Sequence, residues 1–312
     1  MFVMIPSRHQ DATTLFNCIL IPTGCWAVRT AVHEAAAIGQ VSLLQHLIDC
    51  GASVNIVAED SITPLHEACA RGHIQCVRLL LDAGAQVDAR NVDGSTPLCE
   101  ACSVGSLECV KLLLERGAKA NPALTSRTAS PLHEACMGGK CFSRHQYASS
   151  NRHEMLNNIL AGSLDCVKLL IAEGASLEAY DLYHGTPLHV ACANKHLHCV
   201  KELLNAGARV NAPRLHQTAL HHAAKSANVE LVETLVEFGA NIYARDRHNK
   251  KPVDYASPGS PVATCLRSYE AMPMSLQQLS RLALRQKLGT SALKVVAQLQ
   301  IPKLIISYLC YQ

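Results

Sequence analysis

Thr63-Pro64-Leu65-His66-Glu67-Ala68-Cys69 is a phrase that the chain repeats. Thr96-Pro97-Leu98-Cys99-Glu100-Ala101-Cys102 follows 33 residues later, and Ser130-Pro131-Leu132-His133-Glu134-Ala135-Cys136 another 34 after that. Thr186-Pro187-Leu188-His189-Val190-Ala191-Cys192 is a fourth copy, and Thr30-Ala31-Val32-His33-Glu34-Ala35-Ala36 precedes the first by 33 residues. Thr218-Ala219-Leu220-His221-His222-Ala223-Ala224 and Lys251-Pro252-Val253-Asp254-Tyr255-Ala256 extend the series. Each copy reads as the start of a helix. A Thr or Ser hydroxyl caps the first N–H groups, and Pro at the next position has a helix-ready φ and no N–H to leave unpaired. The small apolar residues that follow allow close packing.

A second apolar run follows most copies, as in Cys76-Val77-Arg78-Leu79-Leu80-Leu81 and again over 109–114, 166–171 and 199–204. These runs lead into Gly-Ala at Gly51, Gly84, Gly117, Gly174, Gly207 and Gly239, the chemistry of a left-handed helix stop. The unit is helix, turn, helix, glycine stop and a polar connector. No such unit buries its apolar face alone, so the units must stack. The period and the phrase resemble the ankyrin repeat. The expected fold is all-α: an ankyrin-repeat solenoid of about six full repeats plus a partial one over residues 29–256.

The chain has 312 residues, 49% of them hydrophobic and only 4% aromatic, a composition suited to thin layers of small aliphatic side chains. Its net charge of +3 is too small to argue for nucleic acid as a partner. Residues 271–312 carry five basic residues and no acid, leaving −2 for the remainder. Fifteen cysteines invite a disulfide or metal reading. Cys69, Cys102, Cys136 and Cys192 share one repeat position, however, and Cys76, Cys109, Cys166 and Cys199 share another where the core should lie. Such thiols act as small buried hydrophobes and imply a reducing compartment. The His66/Cys69, His133/Cys136 and His189/Cys192 pairs have half of a zinc site's spacing, yet four ligands would have to converge. No metal and no cofactor is expected.

Residues 1–28 read as a flexible or capping segment, with Trp26 near the first repeat. They lack a basic start with an Ala-x-Ala site, and the apolar stretch from Leu15 to Val28 is broken and shorter than the roughly 20 residues of a membrane span. The fourth repeat is too long: Ser130 and Thr186 stand 56 residues apart. The excess falls at residues 139–161, between the repeat's two helices, and reads as a surface-loop insertion with a short helix at Met155–Leu160. Residues 257–270 read as a linker and end cap, with a short helix at about Val262–Tyr269.

The last stretch, residues 271–312, is of another kind. Ser275 caps and Gly289 stops a helix that places Leu276, Leu279, Ala283 and Leu284 on one face. Two short helices follow, over Ser291–Leu299 and Ile301–Leu309. Three such helices bury little, so apolar surface is left for another chain. The segment resembles the SOCS box. Its elongin C motif is matched at Ser275, Leu276 and Leu284, with Ser280 where the motif has cysteine. Its cullin motif is matched at Leu299, Ile301 and Pro302, with Gln300 where the first proline belongs.

Together with the repeats, this resembles the ankyrin repeat and SOCS box family. The resemblance implies a substrate-recognition adaptor of an elongin B/C–cullin-5 RING ubiquitin ligase. Leu276, Leu279, Ser280, Ala283 and Leu284 would bind elongin C, and Leu299, Ile301, Pro302 and Leu304 would bind the cullin. It also implies that the first helix of each repeat lines the inner, concave side. Glu34, Glu67, Glu100 and Glu134 then form an acidic ladder toward an unidentified protein substrate, followed by Val190 and His222. The plainer view of that ladder is a solvated face with local pairs such as Glu67–Arg71. The connector tips Asn91–Asp93 and Arg245–Asn249 would add specificity. The chain is expected to be cytoplasmic, with the nucleus as a second compartment, and to have no membrane or nucleic-acid partner. No phosphate loop or nucleophile elbow occurs, so it is not expected to be an enzyme. The alternatives are an ankyrin scaffold without ligase recruitment, whose last helices cap the array, and, more remotely, a thiol or zinc enzyme.

Overall fold

The computed structural model of the chain describes residues 29–123, 128–138, 163–272 and 274–288, together with the single positions 298, 302, 305, 306 and 308. Residues 1–28 and the expected insertion at 139–161 lie outside the described residues. Helices pair along the array: α1 (Ala31–Ile38) with α2 (Val41–Asp49), and α3 (Pro64–Ala70) with α4 (Ile74–Asp82). α5 (Pro97–Val104) then pairs with α6 (Leu107–Glu115), and α7 (Pro131–Met137) with α8 (Leu164–Ala172). α9 (Pro187–Ala193) and α10 (Leu197–Asn205) follow, then α11 (Ala219–Ala224) and α12 (Val229–Glu237). No strand forms among the described residues; two isolated bridges close connector tips, at Asp181–Gly185 and Arg214–Gln217.

The helix starts follow the caps. The residue before each first helix is extended, and its side chain takes an amide N–H where the geometry closes, as Thr63 Oγ1 does from the His66 amide at 3.4 Å and Ser130 Oγ from the His133 amide at 3.3 Å. The second helices stop in a Schellman turn. After α4 the Gly84 amide donates to Leu81 O at 3.1 Å and the Ala85 amide to Leu80 O at 2.9 Å, with Gly84 at φ 86°. A branched residue at that φ would be strained.

First helices stack on first helices in one layer and second helices on second in another, and the core lies between them. Leu65, Leu98, Leu132, Leu188 and Leu220 are buried in the first layer, and Leu80, Leu113, Leu170, Leu203 and Leu235 in the second. Each is worth about 1.5–3 kcal/mol of burial, available only when a neighbouring repeat covers it. Cys69, Cys102, Cys136 and Cys192 are buried among them, and desolvation pushes their thiols up, so they are inert apolar filler. In the fourth repeat the Ser163 amide donates to Ala135 O at 3.2 Å, as the Ser106 amide does to Ala101 O at 3.1 Å in the third. The turn between the layers therefore closes with the same bond across the longer segment.

The seventh phrase makes only a 3₁₀ turn, Pro252–Tyr255. α13 (Pro261–Ala271), capped by Ser260, buries Val262, Ala263 and Leu266 against α12 and this turn, and so continues the second layer. α14 (Leu276–Leu288) follows. Its start is a reciprocal cap: the Gln278 amide donates to Ser275 Oγ at 3.2 Å and the Ser275 amide to Gln278 Oε1 at 2.9 Å. Among the described residues no helix is long and apolar enough to cross a membrane.

Candidate functional site

The histidine of the repeated phrase is a clip between repeats. The capping residue's amide donates to Nδ1 of the histidine three residues on, at 3.3 Å for Thr63–His66 and 3.2 Å for Ser130–His133 and Thr186–His189. With Nδ1 accepting, Nε2 carries the proton. It donates to a carbonyl of the next repeat: His33 to Ile62 O, His66 to Ser95 O, His133 to Gly185 O, His189 to Gln217 O and His221 to Lys250 O, at 2.9–3.4 Å. Burial pushes His66, His133 and His189 down to about 4, so they stay neutral. Both ring nitrogens are occupied, and no group of three His, Cys, Asp or Glu side chains among the described residues is placed to hold a metal ion. In the sequence the histidine stood as part of the phrase and as half of a zinc spacing; its recurrence three residues after the cap of every first helix from α1 to α11 but one was the signal for a structural bond. The exception is Cys99, whose Sγ lies 3.8 Å from Ala129 O.

One residue further along each first helix stands the expected ladder, and its four carboxylates are not alike. Glu34 and Glu67 share Arg29: the guanidinium is 3.6 Å from Glu34 Oε1 and pairs directly with Glu67, which is buried. The partner of Glu67 is thus a residue of the preceding repeat, not Arg71 of its own helix. Glu100 accepts a hydrogen bond from Ser95 Oγ at 3.0 Å. Glu134 is half-buried, and its Oε2 is enclosed without a hydrogen-bond partner. Burial, helped by the charges of Glu100 and Asp181, pushes Glu134 up to about 8. Burial also raises Glu100. Among the described residues of the ladder, Glu100 and Glu134 are thus the carboxyls without an ion pair, and burial raises both.

Beyond the buried Val190 the sign changes. His222 stands in the ladder position, edge-on to His189 with 5.8 Å between ring centroids. Arg214 Nη1 is 3.5 Å from His222 Nε2, and its Nη2 donates to Tyr183 O. Lys225 Nζ lies 4.7 Å and Lys250 Nζ 5.7 Å from the Tyr255 ring centroid. Burial, and then the charges of His189, Lys225 and Arg214, push His222 down to about 3. This basic end was not expected from the sequence; its one signal was His222 standing where earlier repeats have Glu.

The second surface is α14. Leu276 is 86% exposed and Leu279 47%; Ser280 and Ala283 are exposed, and Leu284 is half-buried. The opposite face is held. Leu282 lies against Gly239 at the end of α12, and the buried Arg281 stacks 4.5 Å over the Tyr308 ring and donates to Tyr308 O at 3.3 Å. The helix is thus seated on the array with leucines turned outward. Of the residues expected to meet a cullin, Leu299, Ile301 and Leu304 lie outside the described residues. Pro302 is exposed and opens a helical turn, its carbonyl accepting the Ile305 amide at 2.9 Å and the Ile306 amide at 3.2 Å.

Comparison with known proteins bears on both surfaces. The ankyrin-repeat family matches residues 32–123 and 153–246, and the SOCS box matches residues 272–310. The chain is 58% identical over 295 residues to ankyrin repeat and SOCS box protein 13 of Mus musculus, covering 95% of this chain and 97% of that protein. The chain belongs to the ankyrin repeat and SOCS box family. It is also 46% identical over 314 residues to ankyrin repeat and SOCS box protein 5 of Oryctolagus cuniculus, covering all of this chain and 88% of the relative. Among solved structures it is similar to the human ASB11 ankyrin repeat domain, at a TM-score of 0.67 and 38% identity over 79% of this chain and all of that one. The Bcl-3 ankyrin repeat domain is similar at a TM-score of 0.57 and 28% identity, over 77% of this chain and 98% of that one. Repeats plus box make the chain a SOCS-box substrate adaptor, and the box is in general an element that recruits elongin–cullin ligases. Members of the family are non-catalytic adaptors.

Proposed function

We propose that this chain is the substrate-recognition subunit of an elongin B/C–cullin-5 RING ubiquitin ligase, acting in the cytoplasm. Elongin C sits on Leu276, Leu279, Ser280, Ala283 and Leu284, the cullin meets Leu299, Ile301, Pro302 and Leu304, and the repeats hold a protein target. The chain makes no bond itself. It supplies proximity between the target and a conjugating enzyme that the RING protein carries.

The observation that carries this reading is the outward face of α14. A leucine 86% exposed beside another at 47%, on a helix whose other face is already packed, is surface kept for a partner. The alternative, a scaffold whose last helix only caps the array, draws on the seating of Leu282 against Gly239. A cap would turn its leucines inward, and Leu276 and Leu279 point the other way.

Co-purification with elongin C tests the reading. Leu276→Ala is expected to abolish capture, because truncating a leucine anchored in a partner costs about 2–5 kcal/mol. The repeats stay folded, since Leu276 supports nothing within the chain. Undiminished capture of elongin C by the variant would overturn the assignment of this face.

A further inference from the structure

The first-helix layer is polarised. Glu100 and Glu134 stand at one end of it and Arg214, His222, Lys225 and Lys250 at the other, with Val190 between. Each end is left incomplete by the fold. At the acidic end, neither Glu100 nor Glu134 has an ion-pair partner among the described residues, and Glu134 Oε2 is enclosed with nothing to accept from. At the basic end the Nε–H of Arg214 is likewise buried without a partner. The nearby acid, Asp246, is engaged elsewhere, by Tyr255 Oη, by Gln217 Nε2 at 3.2 Å and by the amides of His248 and Lys250. Buried polar groups without partners are expensive in a folded chain; a cation brought to the Glu134 carboxyl would hold it in its ionised form, and an anion would complement Arg214.

The spacing of the two ends sets what fits. Glu134 is on α7 and His222 on α11, two steps apart in the layer because α9 lies between them. Packed helices are about 8–10 Å apart, so the ends are separated by about 16–20 Å. An extended peptide covers about 3.3–3.6 Å per residue, and that span takes about five or six residues.

We propose that the first-helix layer binds an extended segment of the target protein bearing a basic side chain about five or six residues from an anionic one, the basic side chain on Glu100 and Glu134 and the anionic one on Arg214 and Lys225. This inference rests on the reading that the repeats hold a protein target, and it names the chemistry of that target. Val190, buried on α9, leaves the stretch between the two charged ends without a charge of its own. The charge order also fixes the direction of the segment along the array, so a reversed segment meets like charge at both ends.

The test uses the full chain and a displayed library of random sixteen-residue peptides, with and without phosphoserine as the anionic residue. Enriched peptides are expected to share a Lys or Arg five or six positions from Asp, Glu or phosphoserine. Their binding should weaken about tenfold in Glu134→Gln and about tenfold in Lys225→Gln, with elongin C capture unchanged. Thermal melts show whether each variant is folded; Lys225 is exposed, and its contact over the Tyr255 ring is a surface one whose loss costs little stability. Hydrogen exchange then locates the bound peptide. Protection on α5, α7, α9 and α11 without the charge spacing, or without a response to either variant, overturns the inference and leaves the target-holding reading standing. Enriched peptides that protect no part of the repeats would overturn both.

Discussion

Replacing Glu134 by glutamine is expected to stabilise the chain at neutral pH, although it removes a carboxyl group from the proposed binding surface. The carboxyl is pushed up to about 8 from an ordinary 4.5 by burial first and by Glu100 and Asp181 second. The unfolded chain releases this proton as pH passes 4.5, while the folded chain keeps it to about 8. Between those values the folded state holds more protons, so stability falls as pH rises, by about 1.4 kcal/mol per pH unit for one group. At pH 7 that amounts to about 3 kcal/mol, and the partial exposure of the side chain reduces it to roughly 1–3 kcal/mol. Glutamine keeps the shape and does not titrate. Urea unfolding of both proteins at pH 5, 6, 7 and 8 measures the effect. The variant should lead by roughly 1–3 kcal/mol at pH 7 and by about a quarter of that at pH 5. A variant no more stable than the parent at pH 7, or a lead that does not shrink toward pH 5, refutes the reasoning. A gain in stability coupled to a loss of peptide binding would also separate a functional carboxylate from a merely tolerated one.

The histidine clips act with the opposite sign. His66, His133 and His189 have pKa values near 4 in the fold against 6.5 unfolded, so their contribution is complete above pH 6.5 and is lost as pH falls from 6.5 toward 4. Each removes up to about 2 kcal/mol at pH 5, and unchanged stability between pH 7 and 5 in the Glu134→Gln background would contradict this. Cys99→His should replace the weak thiol bond to Ala129 O by an imidazole one and raise stability by about 1 kcal/mol; a melting temperature that does not rise counts against the clip. Gly239→Ala and Gly84→Ala each force alanine into the left-handed region at a cost of about 1–2 kcal/mol, but only at Gly239 would the new Cβ meet Leu282, at 3.0 Å. Gly239→Ala should therefore melt lower than Gly84→Ala, with the excess gone in a Leu282→Ala background. Equal melting temperatures would mean that α14 is not seated as described.

The repeat units were legible because their information is local. A cap, a proline, an alanine pair and a glycine stop each act within a few residues, and the period of the phrase placed twelve helices of the array without reference to any contact. The box helix was legible for the same reason: Ser275 and the leucine spacing are features of one helix. Its outward face was legible too, since Leu276, Leu279 and Ala283 share a stripe with too little chain nearby to cover it. Which side of the helix would be seated, by contrast, depended on Gly239, some forty residues upstream in another element.

The sequence by itself determined the all-helical array, its helix pairs and the buried thiols, because these follow from short-range propensities and from residues that recur at the same place in each unit. The tertiary structure alone decided how the ladder of glutamates divides. Glu67 pairs with Arg29 across a repeat boundary, Glu100 with the hydroxyl of Ser95, and Glu134 with no hydrogen-bond donor on its Oε2. Four residues in equivalent positions thereby acquire different charges and different costs. The physical reason is that pairing and desolvation depend on which neighbours the stacked layers bring within a few ångströms, and those neighbours come from other repeats. The same holds for Arg214 and His222, eight residues apart in the chain, which meet only when their connector and helix pack together.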